Sequence, residues 1–295
     1  MASGDTFLAQ VEEGLNTTVA SARQRREFPI DIMPKLSDRQ NLSEGTGTAW
    51  SEFLVENLTA QNYGETDVID NPQQLESSLL SATPQLAAIQ TFIGRRVRAR
   101  LSPKAFASFG TLGMNGIQRK KNTDGHALFA SATTTLGTTG TTATHGHILA
   151  AARRIRVDAT EPGPEPISAV LHGYTIHDLQ TEVLSGVGTY PVPAGMTADV
   201  FRMGFKGSIG DVLVWEDGLI AVDSTPDTRG GVFSSGPGGA FILVQGLSPW
   251  TETRDRPEKG YGGVDVWLKD EYVYVERSPG NWSFGHIADG TAPTG

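Results

Sequence analysis

The chain contains no cysteine, which excludes thiolate and disulfide chemistry and turns attention to its histidines and carboxylates. His172, His177 and Asp178 lie together in LHGYTIHDLQ, where a compact apolar run gives way to a helical pattern. A histidine at a strand end beside a His-Asp pair could act as a base held by a carboxylate, as in a soluble hydrolase. The same residues serve equally to finish a strand-to-helix turn, and that simpler use is the one expected. His145 and His147 form an H-x-H pair in a Thr-rich loop. Two imidazoles so spaced can share a metal ion, but no Asp, Glu or further His stands nearby at ligand spacing. No G-x-S-x-G elbow, P-loop or dinucleotide fingerprint occurs. Gly204, Gly207 and Gly210 lack the G-x-G-x-x-G spacing, and the GPGG at Gly236 to Gly239 has no helix after it to hold a phosphate. The residues therefore make no catalytic constellation, and neither a cofactor nor a metal is expected.

The elements that would position these residues read as α+β. The chain has 295 residues, 38% of them hydrophobic and 19% charged, with 35 Gly and 16 Pro. Loops are thus plentiful, and short Val/Ile/Thr-rich runs indicate strands. The formal net charge of −9 argues against a dedicated nucleic-acid binder and suits a surface that keeps DNA at a distance. No apolar run approaches the ~20 residues of a membrane span. The N-terminus has no signal-peptide core, so synthesis in the cytoplasm is expected.

The stretch Leu101 to Phe129, LSPKAFASFGTLGMNGIQRKKNTDGHALF, predicts one long helix. Ser102 is a good N-cap and Pro103 suits the first helical position. Phe106, Phe109, Leu112, Gly113, Gly116 and Ile117 share a face. Each of Gly110, Gly113 and Gly116 costs roughly 1 kcal/mol against alanine in a helix, so a neighbouring backbone should approach there. Arg119, Lys120 and Lys121 favour the C-terminal end of the dipole, and Asn122 to Gly125 reads as the stop.

Before that helix, Asp5 to Ala22 predicts an amphipathic helix, Arg23 to Arg26 a basic knot, and Phe28 to Asn41 an extended arm. Trp50, Phe53, Leu54 and Val55 predict a strand within 46–58, and Leu75 to Ala88 a helix broken near Pro84. In Thr91 to Leu101, apolar residues alternate with Arg96, Arg98 and Arg100, which predicts a strand paired with the acidic 46–58 strand. After the helix come an exposed Thr/Gly loop (131–144), a helix over His147 to Val157 and a buried strand over Ile167 to Leu171. In the second helix Ile148, Leu149, Ala152 and Ile155 should point inward. Tyr174 to Leu184 predicts a third helix with Thr175 as its cap, and Phe205 to Val222 a hairpin turning at Glu216-Asp217-Gly218. Thr225 to Gly239 reads as loop, Ala240 to Gln245 as buried strand, and Gly263 to Ser278 as a hairpin turning at Lys269-Asp270-Glu271.

This order of parts resembles the major capsid protein of tailed bacteriophages, whose fold encapsulins share. NTDGHALFASATTTLGTTGTT (122–142) is similar to a D-G-x-x-L-F segment followed by a Thr/Gly loop in such proteins. PISAVLHGYTIHDLQTEV (166–183) resembles the strand and helix that open the axial domain, and GFKGSIGDVLVWEDGLIAV (204–222) a later segment of it. The resemblance implies an N-terminal arm (1–45), an extended two-stranded loop lying on the adjacent subunit (46–100) and a peripheral-domain spine helix (101–129). An axial domain (130–245) and a return to the peripheral domain with a C-terminal tail (246–295) complete it. It further implies a structural protein of the virion, not an enzyme, which assembles in the host cytoplasm into pentamers and hexamers of an icosahedral shell around double-stranded DNA. Its partners would be copies of itself, with scaffold, portal or decoration proteins as further candidates. No long charged leader precedes the arm, so a separate scaffold or the arm itself would guide assembly. Arg96, Arg98 and Arg100 are expected to meet carboxylates such as Glu52 and Glu56, within the loop or on a neighbour, and Arg25 and Arg26 to make arm contacts. The alternatives are an encapsulin-type compartment and a hydrolase using His172, His177 and Asp178.

Overall fold

The computed structural model describes residues 5–6, 31–42, 47–60, 62–65, 77–100, 103–186 and 207–294. The first strands are β1 (Asp5–Thr6), β2 (Asp38–Asn41), β3 (Trp50–Val55), β4 (Ser77–Ala82), β5 (Gln85–Gly94), β6 (Thr135–Leu136) and β7 (Ile167–Leu171). They are followed by β8 (Ser208–Ile209), β9 (Val212–Glu216), β10 (Asp227–Ser234), β11 (Phe241–Gln245), β12 (Trp250–Asp255), β13 (Gly263–Glu276) and β14 (Ser283–Asp289). The helices are α1 (Ile32–Leu36), α2 (Arg95–Arg100), α3 (Pro103–Ala130), α4 (His145–Arg156) and α5 (Gly173–Gly186). One six-stranded sheet runs β1-β5-β13-β11-β2, with β12 on the first half of β13; another runs β6-β14-β10-β7-β9-β8. The pair β3-β4 stands apart as a two-stranded sheet.

The long helix α3 joins the two sheets. Its buried positions are Ile117, Lys121, Asn122, Gly125, His126 and Phe129, a helical stripe that is half polar. Gly113 and Gly116 let Leu268 of β13 and Ile89 of β5 lie against the helix, and Gly125 lies under Met33 of α1. Phe129 packs on Phe233 and Phe241, one from each sheet, with ring centroids 5.5 Å away in both cases. On the opposite face of the second sheet, Ile148, Ala152 and Ile155 of α4 and Leu179 of α5 cover Ile167, Ala169 and Leu171. Strand β7 is therefore buried on both sides, which explains why its run is apolar but for Ser168, whose hydroxyl hydrogen-bonds with that of Ser235.

Several expectations change, each for a physical reason. Helix α3 continues through Asn122 to Gly125, because Asn122 turns inward to bond Met33 and Asp217 and does not bend back on its own backbone. Ser102 lies outside the described residues. Leu112 is exposed. The 75–88 segment is extended: Leu79 and Leu80 alternate along β4, and Pro84 separates β4 from β5. The expected 91–101 strand ends at Gly94. RRVRAR is helical, as its Arg and Ala residues favour, and Val97 is buried. The partner of β3 is accordingly β4, while β5 pairs with β13.

The expected terminal hairpin is one continuous strand, β13. Its would-be turn residues find side-chain partners: Lys269 meets Glu252, and Asp270 meets Lys121. Strand β10 replaces the expected 225–239 loop. Its Gly230 and Gly231 serve close packing, since a Cβ would fall 2.4 Å from the Val170 carbonyl oxygen and 2.1 Å from Phe129 respectively. The hairpin in 205–222 turns at Gly210-Asp211, both at positive φ, and no strand follows Asp217 beyond a single Val222–Thr228 bridge. Thr175 lies inside α5 and bonds Thr228; Leu149 is exposed and shields Gly210. In the arm, residues 32–36 are helical and β2 adds to the edge of the chain's own sheet, parallel to β11. Asp5 and Thr6 pair with Phe92 and Ile93. The remainder of the 5–22 helix and the RQRR knot lie outside the described residues.

Gly125 and Gly110 differ only in what surrounds them. A Cβ on Gly125 would stand 2.8 Å from the Met33 Cβ, while Gly110 has nothing within 4 Å. Gly110→Ala should therefore stabilise by about 0.5–1 kcal/mol through helix propensity. Gly125→Ala should destabilise by about 1–2 kcal/mol as α1 is pushed away. Denaturant unfolding of the two variants checks both signs.

Candidate functional site

Three kinds of feature could do work here: a clamp that holds the two-stranded excursion, the surfaces the excursion leaves open, and buried polar groups along α3. The clamp is Arg277, just past the end of β13. Its Nη2 donates to Asp38 Oδ2 at 2.6 Å, its Nε to both carboxylate oxygens of Glu52 at 2.9 Å, and its Nη1 to the Gly239 carbonyl at 2.9 Å. One planar guanidinium thus ties β2, β3 and the turn before β11 to the end of β13. Burial would raise the Asp38 carboxyl, but hydrogen bonds from Arg277, the Gly238 amide and Gln40 outweigh it and hold its pKa below the ordinary value.

Beyond this clamp the excursion presents unpartnered apolar surface. Phe53 and Leu79 face each other across the β3-β4 pair and are 64% and 65% exposed. Val55 on the same face is exposed too. At the other end of the long sheet, α2 carries exposed Arg95, Arg96 and Arg98. The Arg95 amide donates to the Gly262 carbonyl at 2.9 Å, and Arg96 lies 5.6 Å from the ring centroid of the well-exposed Tyr261. A cavity of about 410 Å³ opens there, lined by Arg95, Arg98, Asp255 and Gly262 among others.

The buried polar groups are structural joints. Lys121 forms a 2.6 Å ion pair with Asp270 and donates to Gln245 Oε1 at 2.8 Å. Asp217 Oδ2 lies 2.8 Å from His126 Nε2 and 2.5 Å from Asn122 Nδ2, and Oδ1 accepts the Leu219 amide at 2.7 Å. Burial opposes the Asp217 charge, yet His126, Asn122 and that amide outweigh it and hold the pKa below the ordinary carboxylate value.

No protein-family model and no curated protein matches the sequence. The likeness is one of shape, to solved structures. The cyanophage P-SCSP1u capsid matches with TM-score 0.66 at 11% identity, over 96% of this chain and 95% of that one. The cyanophage Pam1 capsid asymmetric unit matches with TM-score 0.65 at 12% identity, over 98% and 99%. A Mycobacterium phage Che8 structure matches with TM-score 0.64 at 13% identity, over 82% and 85%. The chain has the phage capsid fold. No described helix is long and apolar enough to cross a membrane.

Within this capsid fold the sequence-selected residues are dispersed. Glu52 is taken by Arg277, Glu56 is exposed past the end of β3, and Arg96 and Arg98 sit on α2. Arg100 ends that helix, and Arg25 and Arg26 lie outside the described residues. His172 caps α5, its Nδ1 accepting the Tyr174 amide at 3.2 Å. Burial lowers its pKa, against the raising influence of Asp217 and Glu216. His177 is exposed, and Asp178 accepts the Ala143 amide. His145 pairs with Glu182 at 2.8 Å. His147 has its ring 5.6 Å from that of the buried His286, and among the described residues no group of three or more metal-ligating side chains forms. Sequence reading missed Arg277, Lys121 and His286, whose partners lie far away: 225 residues separate Arg277 from Glu52 and 239 separate it from Asp38.

Two outcomes follow from this geometry. Arg277→Ala leaves the Asp38 carboxylate buried without its cation, so stability should fall by about 2 kcal/mol. Amide exchange in 50–55 and 77–82 should then quicken more than in β13. His286 is held neutral, its pKa lowered to about 4 by burial and by His147. The unfolded chain binds this proton near pH 6.5, so the stability is present above that pH and is lost as pH falls toward 4. The loss amounts to about 3 kcal/mol by pH 4. Urea midpoints should fall with pH across that window, and His286→Gln should flatten this part of the dependence.

Proposed function

We propose that this chain is the shell-forming subunit of a phage head, which assembles into pentamers and hexamers of an icosahedral particle around double-stranded DNA. The observation that carries the reading is the β3-β4 sheet, whose Phe53–Leu79 face is open to water although two strands alone are marginally stable there. A surface of this kind suits a chain that finishes its burial on copies of itself. The likeness to capsid structures over nearly the whole chain supports the same conclusion.

In this reading 1–45 is the arm, 46–100 the extended loop on an adjacent subunit, and 101–129 the spine of the peripheral domain. Residues 130–245 hold the axial domain, and 246–295 return to the peripheral one. Arg25, Arg26, Arg96, Arg98 and Arg100 serve as contacts between subunits, with Glu56 among the carboxylates they meet. The net charge of −9 suits a wall that does not hold on to packaged DNA. The role is structural, without catalysis; scaffold, portal or decoration proteins would act at assembly.

Purified protein should sediment as megadalton particles and show closed shells by negative stain. A small defined oligomer would overturn the reading, and enclosed protein in place of DNA would point to a cargo compartment. Phe53→Ser with Leu79→Ser should reduce particle yield at least tenfold while leaving the melting of the unassembled subunit within a few degrees.

A further inference from the structure

Where α3 crosses the long sheet, three side chains that can react with one another are held together away from water. The side chain of Lys121 on α3 is 5% exposed and that of Asp270 on β13 is 0% exposed. Gln245, the last residue of β11, stands opposite Tyr272 of β13, so it shares the α3 side of the sheet with Asp270. Lys121 Nζ donates to Gln245 Oε1 at 2.8 Å and lies 2.6 Å from Asp270 Oδ2. Gln245 Nε2 donates to Asp270 Oδ1, to the Glu271 carbonyl at 2.9 Å and to the Leu247 carbonyl at 2.8 Å. The orientation of the amide is thereby set. Its oxygen faces an ammonium and its nitrogen faces three acceptors; the reverse assignment would set donor against donor. Tyr272 walls the site, with its ring centroid 4.9 Å from Lys121 Nζ and its hydroxyl taken by Asp124.

A lysine amine, an amide carbonyl and a carboxylate that touches both are the parts of an amide exchange. A lysine becomes a nucleophile once it has given up a proton. A carboxylate can take that proton when it stands within about 2.6–3.2 Å, as Asp270 does. Apart from this contact, Asp270 Oδ2 has no hydrogen-bond partner. Its other oxygen accepts from the amide nitrogen, which is the group that must leave. One carboxylate therefore stands at both places where protons have to move. Fixing the amine against the carbonyl replaces an encounter between separate molecules, and the enclosed site keeps water from competing for the same carbon.

We propose that Lys121 and Gln245 of one chain join in an isopeptide bond, with Asp270 as the catalytic proton carrier. Oδ2 of Asp270 takes one proton from the Lys121 ammonium, and the freed amine attacks the Gln245 side-chain carbonyl carbon. The bond from that carbon to Nε2 breaks as a second proton passes from the Lys121 nitrogen to Nε2, and ammonia leaves. The new amide keeps the third hydrogen. Asp270 ends as the neutral acid, so no charge is left buried without its partner. Nothing is oxidised or reduced, and no co-reactant is needed. The bond links residues 124 positions apart and ties the long helix to the sheet it crosses, which restricts the unfolded chain as any long-range cross-link does. It needs only a folded subunit, and it stands or falls independently of shell formation.

Intact-mass measurement of the purified full-length chain in denaturant, followed through prolonged incubation of the folded protein at neutral pH, reads the bond directly. The dominant species should be lighter than the sequence mass by one ammonia. Tryptic digestion should release a branched peptide that links the segment carrying Lys121 to the one carrying Gln245, with no cleavage after Lys121. Gln245→Met removes the reacting carbonyl and leaves the Lys121–Asp270 pair in place, so this variant should fold and keep its full mass. Its urea midpoint should lie below that of the wild type, by a gap that widens as the wild-type mass falls. Asp270→Asn should slow bond formation by about 10²–10⁴-fold. Gln245→Met decides the matter alone if Asp270→Asn does not fold. Folded wild-type protein that keeps its full mass overturns the proposal. So does ammonia loss that persists in Gln245→Met or gives no branched peptide, since that would be ring closure at an asparagine elsewhere. Bond formation at the wild-type rate in Asp270→Asn overturns the role given to Asp270.

Discussion

The arrangement of this chain depends on α3 having to bury polar side chains. A helix that joins two sheets needs an inward face along most of its length, and this one places Lys121, Asn122 and His126 there. Each must find a partner, because an unsatisfied buried polar group costs about 1–3 kcal/mol and an unpaired buried charge such as that of Lys121 about 3–5 kcal/mol. Lys121 finds Asp270 on β13, and Asn122 and His126 find Asp217 after β9. These pairs are directional where the surrounding apolar contacts are not. They fix the rotation of the helix against the long sheet on one side and the second sheet on the other. Surface pairs on the same helix, such as Lys120–Asp124, are worth at most about 1 kcal/mol and set nothing comparable.

The same constraint shapes β13. A Lys-Asp-Glu sequence in the middle of an alternating segment would normally break it. Here Asp270 faces α3 and Lys269 faces β12, so the strand continues through its charged centre and becomes long enough to pair with β5, β11 and β12. The length of β13 then determines how far the Arg277 clamp lies from α2. Frame and excursion are joined at Glu52 through that clamp.

What was legible in the sequence follows from the range of the interactions. The α4 span, β7 and β11 depend on local periodicity or on a buried face, which the chain shows; β3 shows in its aromatic and β-branched residues, and α3 in its periodicity as far as Lys121. The fold was legible through resemblance, and the solved capsid structures share it. Misread segments are those whose conformation is decided by distant partners. Gly230 and Gly231 look like loop residues until Val170 and Phe129 press on them. Asp217-Gly218 looks like a hairpin turn until Asn122 and His126 draw Asp217 inward. The Arg alternation at 96–100 mimics a strand, although the segment is the helix α2, with Val97 buried. The partner of Glu52 was not legible, because Arg277 lies 225 residues away and reaches it only through the register of β3, β4 and β13.

Those two lessons bear on why such a chain would be built this way. An excursion that satisfied its own apolar face and charges within one subunit would be stable alone and would have no reason to associate. Here the in-chain anchor is strong but stops at Glu52, so Phe53, Val55 and Leu79 stay exposed while being held in a defined direction. On the reading proposed above, holding them so would reduce the entropy lost when a neighbouring copy arrives, since the backbone is already ordered. A head-to-tail contact between copies would close into a ring only where its rotation closes and would otherwise run on as a filament, so the angle that the frame imposes on the excursion would decide between the two.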